Sequence, residues 1–377
     1  MAADSPLPPE LERTTELDDA WRVANHGDRL AAVRRAARRL KDRIVASGRA
    51  VSVSTYAISS LPYPARFGLS GADRGLTPHV IMKNRMQLVQ VDAGGRIVNI
   101  LVNPTDPHRA QAAPFIRKQL DRYPRLVADW LRARLVHSDV ATALRSAGVA
   151  PEDIDYITFD HLHVQDVRGL LGTVEPEPGR DAPTPALLPN AKLLVQRPEV
   201  DLFRNLHPMQ RYWYVENCLA GVSPDKIVVL DGDYLLGAGF AIVRTPGHTD
   251  GNHSLVVHTD TGVWTISENG IAVECYAPEH SDNPRLRAYA RHYDVEVILN
   301  GNTRERSNDQ YTSMILEKTL ADPSVARPEF PQTFPSSELQ ASPLAPGIRP
   351  TFEHGEIRHG VIQPKVPAAA GDRAASM

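Results

Sequence analysis

Three histidines have the residue type and the spacing of a metal site. His161 and His163 lie two residues apart in segment 160–166 (DHLHVQD), and His248 lies on a Gly-containing turn in segment 245–251 (TPGHTDG). Neutral imidazole is a common zinc ligand, and three protein ligands that leave one position open are typical of catalytic zinc sites. The sequence therefore predicts that His161, His163 and His248 converge on one divalent metal ion.

The carboxylates near these histidines have more than one candidate role. Asp160 and Glu268 could each supply a fourth metal ligand, and Asp160 or Asp166 could act as the general base that deprotonates a metal-activated water. The alternative for Asp160 is to fix the tautomer of a histidine ligand, and the alternative for Glu268 is an ordinary hydrogen-bonded loop carboxylate. The amides that could donate hydrogen bonds to an oxyanion or a nitrile nitrogen are Asn269, Asn300 and Asn302.

Strand ends position these residues in the predicted secondary structure. An apolar run at 154–159 predicts a strand that delivers Asp160 and His161 at its carboxyl end. Further runs at 240–244 and 263–266 predict strands that precede His248 and Glu268. Functional side chains are common at such ends, because the sheet fixes them while the loop exposes them.

The remaining pattern predicts many strands with few helices between them. The further predicted strands are 51–58, 79–91, 96–102, 191–196, 227–230, 254–258 and 295–299. The predicted helices are 18–47, 113–135, 140–147 and 284–293. This order favours an α+β fold in which two sheets pack face to face with helices outside, a four-layer αββα sandwich. We expect a helical N-terminal extension over 1–50, the αββα domain over 51–322, and a Pro-rich tail or dimer arm over 323–377.

Composition disfavours nucleic acid and membranes as partners of this protein. The 377 residues include 42 basic and 45 acidic side chains, a net charge of −3, so no global positive field favours nucleic acid. The chain has no stretch of eighteen apolar residues and no apolar N-terminal segment, so we expect a cytoplasmic protein with no membrane partner. Its N-terminal helix and Pro-rich tail favour a homodimer. The aromatic residues that could line a pocket for an apolar or aromatic small molecule, or simply fill the core, are Phe203, Tyr212, Trp213 and Tyr214.

Four segments in order resemble the metallo-β-lactamase superfamily over residues 85–320. They are the strand end at Asn103, segment 148–166, segment 189–195, and Gly232-Asp233 leading to segment 245–248. The resemblance implies the αββα fold, hydrolase activity, and zinc bound between the edges of the two sheets. It therefore supports the same three histidines as the metal ligands.

The chain departs from the pattern of that superfamily at the second metal site. The superfamily motif is His-x-His-x-Asp-His, but its last two residues are Gln165 and Asp166 here. The later bridging aspartate is replaced by Glu268 or Asn269, and the last histidine by Asn300 or Asn302. Because amide oxygens bind zinc weakly, the resemblance implies a degenerate second site and one catalytic zinc ion per chain.

A narrower resemblance suggests one reaction. The Asp160-His161 pair and the downstream asparagines are similar to the site of zinc-dependent hydrolytic dehalogenases that act on chlorothalonil, a chlorinated aromatic dinitrile. The main hypothesis is a zinc-dependent hydrolase that uses metal-bound hydroxide, with hydrolytic dehalogenation of a chlorinated aromatic as its narrowest form. The alternatives are an ester, lactone or lactam hydrolase, a catalytically inactive binding relative, and redox or sulfur chemistry at non-haem iron.

Overall fold

Two β-sheets form the centre of the protein in the computed structural model, which describes residues 7–73, 75, 77–302 and 306–365. The strands are β1 (Leu11–Thr14), β2 (Ser52–Pro64), β3 (His79–Ala93), β4 (Arg96–Val102), β5 (Tyr156–Thr158), β6 (Lys192–Gln196), β7 (Ile227–Leu230), β8 (Asp233–Leu236), β9 (Phe240–Arg244), β10 (His253–Thr259), β11 (Gly262–Ser267), β12 (Thr333–Pro335), β13 (Ser337–Gln340) and β14 (Arg358–Gly360). Within these residues one sheet has the order β1-β8-β9-β10-β11-β12, and the other has the order β14-β2-β3-β4-β5-β6-β7 with β13 paired to β3.

The described residues also form α-helices, some of which cover the outer faces of the sheets. They are α1 (Asp18–Arg22), α2 (His26–Ala46), α3 (Ala65–Gly68), α4 (Pro114–Leu120), α5 (Arg125–Leu135), α6 (Val140–Ala147), α7 (Arg168–Leu171), α8 (Arg197–Leu202), α9 (Pro284–Tyr293) and α10 (Ser307–Leu320). No helix among the described residues is long and apolar enough to cross a lipid bilayer.

The side chains of β9 show why the layers form. Phe240 and Ile242 belong to the core between the two sheets, whereas Ala241 and Val243, with the opposite parity, pack against α2 and α10. A strand that is apolar on both faces must be covered on both sides. The same logic applies to the other sheet, whose strands share a second buried apolar cluster with α6. The predicted αββα sandwich is confirmed.

Three predicted elements differ from those in the structure. The predicted helix 18–47 is two helices, because the backbone is extended at Val23 and at Asn25, which caps α2. The predicted helix 113–135 is two helices, because Pro124 cannot continue a helix and separates α4 from α5. Segment 295–299 is not a strand: Val297 and Ile298 are buried, but the Ile298 N–H binds the Cys275 carbonyl instead of a neighbouring strand. The segment is apolar because it is buried, and an apolar run of this length is also typical of a buried strand.

Helix α10 was not predicted at all. Most of its side chains are buried, polar ones such as Gln310, Ser313 and Glu317 among them. A helix that is covered nearly all round has no polar face, so it lacks the amphipathic period that reveals a surface helix.

Both end segments contribute strands to the sheets. In the N-terminal segment, β1 pairs with β8, and in the C-terminal segment β13 and β14 pair with β3 and β2. The division into extension, domain and tail remains a prediction, and parts of it, 1–6 and 366–377, lie outside the described residues. The described parts of these segments are hydrogen-bonded into the sandwich.

A buried ion pair holds the C-terminal segment on its sheet. The Arg85 guanidinium on β3 donates to Glu338 on β13 at 2.7 Å, and the two side chains are 2% and 1% exposed. The same carboxylate accepts from His354 Nδ1 at 2.6 Å. Removing Arg85 would leave this buried carboxylate with His354 but without its guanidinium partner, and loss of one partner of a buried ion pair is destabilising.

We expect Arg85→Met to lower the free energy of unfolding by about 3–5 kcal/mol, because Glu338 would remain buried without its guanidinium partner. Urea denaturation of the two proteins measures the difference. The matched control is Arg358→Met, whose side chain is 69% exposed in its pair with Glu356. It should change stability by no more than about 0.5 kcal/mol. Equal effects of the two substitutions would contradict the assigned role of the buried pair.

Candidate metal centre

The ends of strands from both sheets meet at one edge of the sandwich. β4 and β5 are parallel with Val102 opposite Thr158, so both chains leave the sheet at the same edge. Asn103 then accepts a hydrogen bond from the Asp160 N–H through Oδ1 at 3.2 Å. From the other sheet, the His253 N–H donates to the Asp160 carbonyl at 2.9 Å. These bonds tie the loop that follows β5 to both sheets.

The structure brings the three predicted histidines together. One ring nitrogen from each of His161, His163 and His248 lies within 4.8 Å of the others. The ring centroids are 4.5–5.1 Å apart, and all three residues are buried. Two loops from different sheets therefore place three imidazoles around one point.

The loop that carries His248 depends on a glycine. Gly247 has φ +134°, and a Cβ there would lie 2.2 Å from the backbone nitrogen of Gln310 at the start of α10. No other residue can follow this backbone so close to the helix. The Pro-Gly-His turn thus presses against α10, and His248 faces the two histidines of the other loop.

Asp160 orients His161. Its Oδ1 accepts from the His161 N–H at 3.0 Å and lies 3.1 Å from His161 Nδ1, while Oδ2 accepts from Ser336 Oγ at 2.8 Å. When Nδ1 carries the proton in this contact, Nε2 has a free lone pair and can bind a metal ion. Nε2 faces the other imidazoles. Carboxylates beside metal-binding histidines commonly fix the tautomer in this way. Of the predicted roles of Asp160, the geometry favours this one.

Burial keeps two of the imidazoles neutral. Burial, followed by the charge of His161, lowers the pKa of His163 well below its usual value and that of His248 to about 3. Burial also lowers the pKa of His161, but the carboxylate of Asp160 outweighs it and raises the pKa to about 9. A neutral imidazole is the form that binds a metal ion, so His163 and His248 are ready to act as ligands.

One buried nitrogen indicates that these residues fit a cation. Nε2 of His163 has no hydrogen-bond partner among the residues that the structure describes. A buried polar atom without a partner costs about 1–3 kcal/mol. A zinc ion at the point where the imidazoles meet would accept the lone pair of this nitrogen. The donor set, three imidazoles with carboxylates beside them, suits zinc.

Glu268 lies beside the imidazoles with a raised pKa. Its Oε2 is 3.9 Å from His161 Nε2, and its side chain is 17% exposed. Burial raises the pKa of Glu268 to about 7, against the lowering effect of His161. Glu268, Asp160 and His161 also place one ligand atom each within 4.8 Å of one another. The position suits either a metal ligand or a group that carries a proton, and both roles remain proposals.

Asp166 lies in an ion-pair cluster instead. Its Oδ1 accepts from Arg168 Nε at 2.9 Å, and its Oδ2 accepts from Arg168 Nη2 at 2.7 Å and Arg109 Nη1 at 3.2 Å. Both oxygens are therefore occupied by guanidinium groups, which disfavours the predicted role as a general base. Arg109 lies far from Asp166 in sequence, so spacing alone did not reveal this pairing.

The three predicted amides have different environments. Asn269 donates from Nδ2 to Glu317 at 2.6 Å, and Asn300 accepts from the Tyr63 hydroxyl and donates to the Glu268 carbonyl. Both are thus engaged with the protein. Asn302 lies 3.4 Å from His163 Nδ1 and lines the cavity beside the histidines. Of the three, Asn302 is the amide best placed to meet a bound molecule.

Sequence reasoning missed Glu199, which joins the two histidine loops. This buried carboxylate accepts from the Leu162 N–H at 2.8 Å and from Thr249 Oγ1 at 2.6 Å. It also accepts from the Tyr214 hydroxyl at 2.9 Å, and the Tyr214 ring packs on His163 at 4.6 Å. Glu199 follows β6, the strand next to β5, so its position just after a strand that ends at the same edge was an available signal.

A cavity of about 320 Å³ opens beside the histidines. His161, His163, His248 and Glu268 line one part of it, and aromatic rings line another. Trp213 lies 4.8 Å from Phe115 and 6.2 Å from Tyr63, measured between ring centroids. Of the predicted aromatic cluster, Trp213 lines this cavity, whereas Tyr214 packs behind His163 with Phe203 against it.

Part of this chain is similar in sequence to N-acyl homoserine lactonases. An N-acyl homoserine lactonase of Bacillus sp is 27% identical over 121 residues, which are 32% of this chain. The match spans 40% of the length of that lactonase. No family model matches the chain. The αββα fold that the resemblance to the metallo-β-lactamase superfamily implies is the fold of this chain, and the wider resemblance remains a prediction.

Two solved structures of lower identity are also similar to this chain. A quorum-quenching N-acyl homoserine lactone lactonase is 17% identical, covers 65% of this chain and 87% of its own, and has a TM-score of 0.42. AidC, described as a dizinc quorum-quenching lactonase, is 15% identical over 64% of this chain and 81% of its own, with a TM-score of 0.40. Within the metallo-β-lactamase superfamily, the narrower resemblance to the chlorothalonil dehalogenases remains a prediction, as does the degenerate second metal site.

We expect Glu199→Leu to weaken zinc binding about 10–100-fold, because the two histidine loops would lose the carboxylate that joins them. A competition titration against a zinc chelator measures the affinity. Glu199→Gln, which can still accept from Leu162, should recover part of the loss. The control is Glu175→Leu at an exposed glutamate. Zinc affinity of Glu199→Leu equal to that of the control would show that the loops are positioned without Glu199.

Proposed function

We propose that this protein is a zinc-dependent hydrolase that opens lactones. The observation that carries the proposal is the meeting of three imidazole nitrogens within 4.8 Å beside a cavity with aromatic walls. The sequence similarity to N-acyl homoserine lactonases favours a lactone over the other substrates of the superfamily. His161, His163 and His248 would hold the zinc ion.

The residues around the histidines have separate tasks in this proposal. Zinc at this position would act as a Lewis acid on a substrate carbonyl and lower the pKa of a water in its open position towards about 7. Asp160 keeps His161 in the orientation described above. Glu268, which lies beside His161, accepts the proton of the attacking water and returns it to the ring oxygen as the carbonyl C–O bond breaks. Lactone and water thereby give one hydroxy acid, and Glu268 ends in its starting state.

The cavity suggests the rest of the substrate. Tyr63, Phe115 and Trp213 form a wall of rings near the histidines, and such walls bind apolar groups while a few polar groups orient the reacting end. Asn302 lines the same cavity, and in this proposal it donates a hydrogen bond to a carbonyl oxygen. We therefore propose that the substrate is a lactone with an apolar substituent. The acyl group is the corresponding substituent in the substrates for which the relatives are named.

The same aromatic wall supports a second candidate, hydrolytic dehalogenation of a chlorinated aromatic. A flat ring would stack against Trp213 and Phe115, and water would replace chloride on a ring carbon. No relative reported above is a dehalogenase, so this candidate rests on the cavity and on the narrower resemblance of the site residues. It differs from lactone opening in its product, because it releases chloride.

We expect zinc-loaded protein to release acid from N-acyl homoserine lactones, and to lose this activity with a chelator and regain it with zinc. A pH indicator follows the acid over a series of acyl chain lengths. Glu268→Gln should lower kcat about 10²–10⁴-fold with zinc content unchanged, because it removes a proton carrier. The matched control, Glu175→Gln, should leave kcat unaltered. His163→Ala should lose zinc together with activity.

Two results would change this proposal. Loss of zinc in Glu268→Gln would make Glu268 a metal ligand and remove its role as proton carrier. Absence of acid release by the zinc-loaded protein from every lactone would refute lactone opening. Chloride release from chlorothalonil would then favour the second candidate, and inactivity in both assays would favour a binding relative.

A further inference from the structure

Helix α5 has little protein around it. Of its eleven residues only Ala128 is buried. Large apolar side chains on and just before it are exposed, with Leu126 84%, Trp130 52%, Tyr123 50% and Val127 41% exposed. We call these four residues the exposed patch. Several exposed apolar side chains close together mark a surface that can bind another molecule or a membrane.

The charge around the exposed patch is strongly positive. Segment 114–135 contains six basic side chains and two acidic ones, a net charge of +4 in a chain whose total is −3. The basic residues are Arg117, Lys118, Arg122, Arg125, Arg132 and Arg134. A second copy of the chain docked on the same patch would bring +4 against +4, which disfavours self-association. An anionic surface complements the charge.

The exposed patch is continuous with the cavity beside the histidines. Tyr123 belongs to the exposed patch and also lines the cavity. Three further residues of segment 114–135 line the cavity without belonging to the patch: Leu120, Leu131 and Leu135. A surface that covers the patch would therefore lie at the entrance of the cavity. An apolar solute dissolved in that surface could enter without crossing water.

We propose that segment 114–135 docks on an anionic phospholipid surface. Leu126, Val127 and Trp130 enter the boundary between headgroups and acyl chains, where tryptophan and tyrosine are favoured. The arginines extend around the patch to the lipid phosphates. The sequence predicted no membrane partner because no segment can span a bilayer, but docking on the surface requires no span.

Cosedimentation with lipid vesicles tests this proposal on the full-length zinc-loaded protein. Wild-type protein should bind vesicles that contain phosphatidylglycerol, bind pure phosphatidylcholine vesicles less, and dissociate as salt is raised. The double variant Leu126→Glu/Trp130→Glu should have an affinity for these vesicles that is lower by at least about tenfold. The matched control is Val325→Glu, a 72% exposed valine outside the segment, which should bind like wild type. Zinc content and circular dichroism confirm that each variant is folded.

Four outcomes would overturn the proposal. They are no binding to phosphatidylglycerol vesicles, equal binding to neutral vesicles, binding that the double variant retains, and a wild-type dimer that the double variant dissociates without any vesicle binding. The last would assign the exposed patch to a second copy of the chain. None of these experiments measures enzymatic activity. The proposal of docking can therefore be refuted without refuting lactone hydrolysis, and lactone hydrolysis can be refuted without refuting docking.

Discussion

Three imidazoles buried side by side are unfavourable unless their nitrogen lone pairs are shared with something. In this protein the cluster is surrounded by carboxylates on one side and aromatic rings on the other, and Nε2 of His163 has no partner in the described part of the chain. Burial keeps His163 and His248 neutral, and Asp160 orients His161. A single cation would bind the lone pairs of all three imidazoles. Most of the other contacts in the site keep the imidazoles in position for that cation.

The αββα sandwich supplies what such a cluster needs, two rigid sheets whose strand ends meet at one edge. Each histidine loop is short and held at several points: one by Asn103 and His253, the other by the close approach of Gly247 to α10. Glu199 then joins the loops to each other. The positions of the histidines therefore depend on groups that touch no substrate.

The three histidines and the layered fold were predictable because both depend on local patterns. Spacing in segment 160–166 and the turn before His248 identify ligands, and apolar runs identify strands such as β9. The roles of Asp166 and Glu199 and the existence of α10 were beyond such reasoning, although the position of Glu199 after β6 was a signal. These two carboxylates acquire their roles from partners distant in sequence, Arg109 and Thr249, and α10 has buried polar side chains that remove its amphipathic signature. Local patterns cannot report contacts between distant segments.

The most direct test of the central claim is an anomalous diffraction map at the zinc absorption edge, from crystals of the zinc-loaded protein. We predict one dominant peak per chain, about 2.0–2.1 Å from one nitrogen each of His161, His163 and His248. A map without a peak at that point, or with imidazole nitrogens hydrogen-bonded to protein groups in place of the ion, would contradict the account.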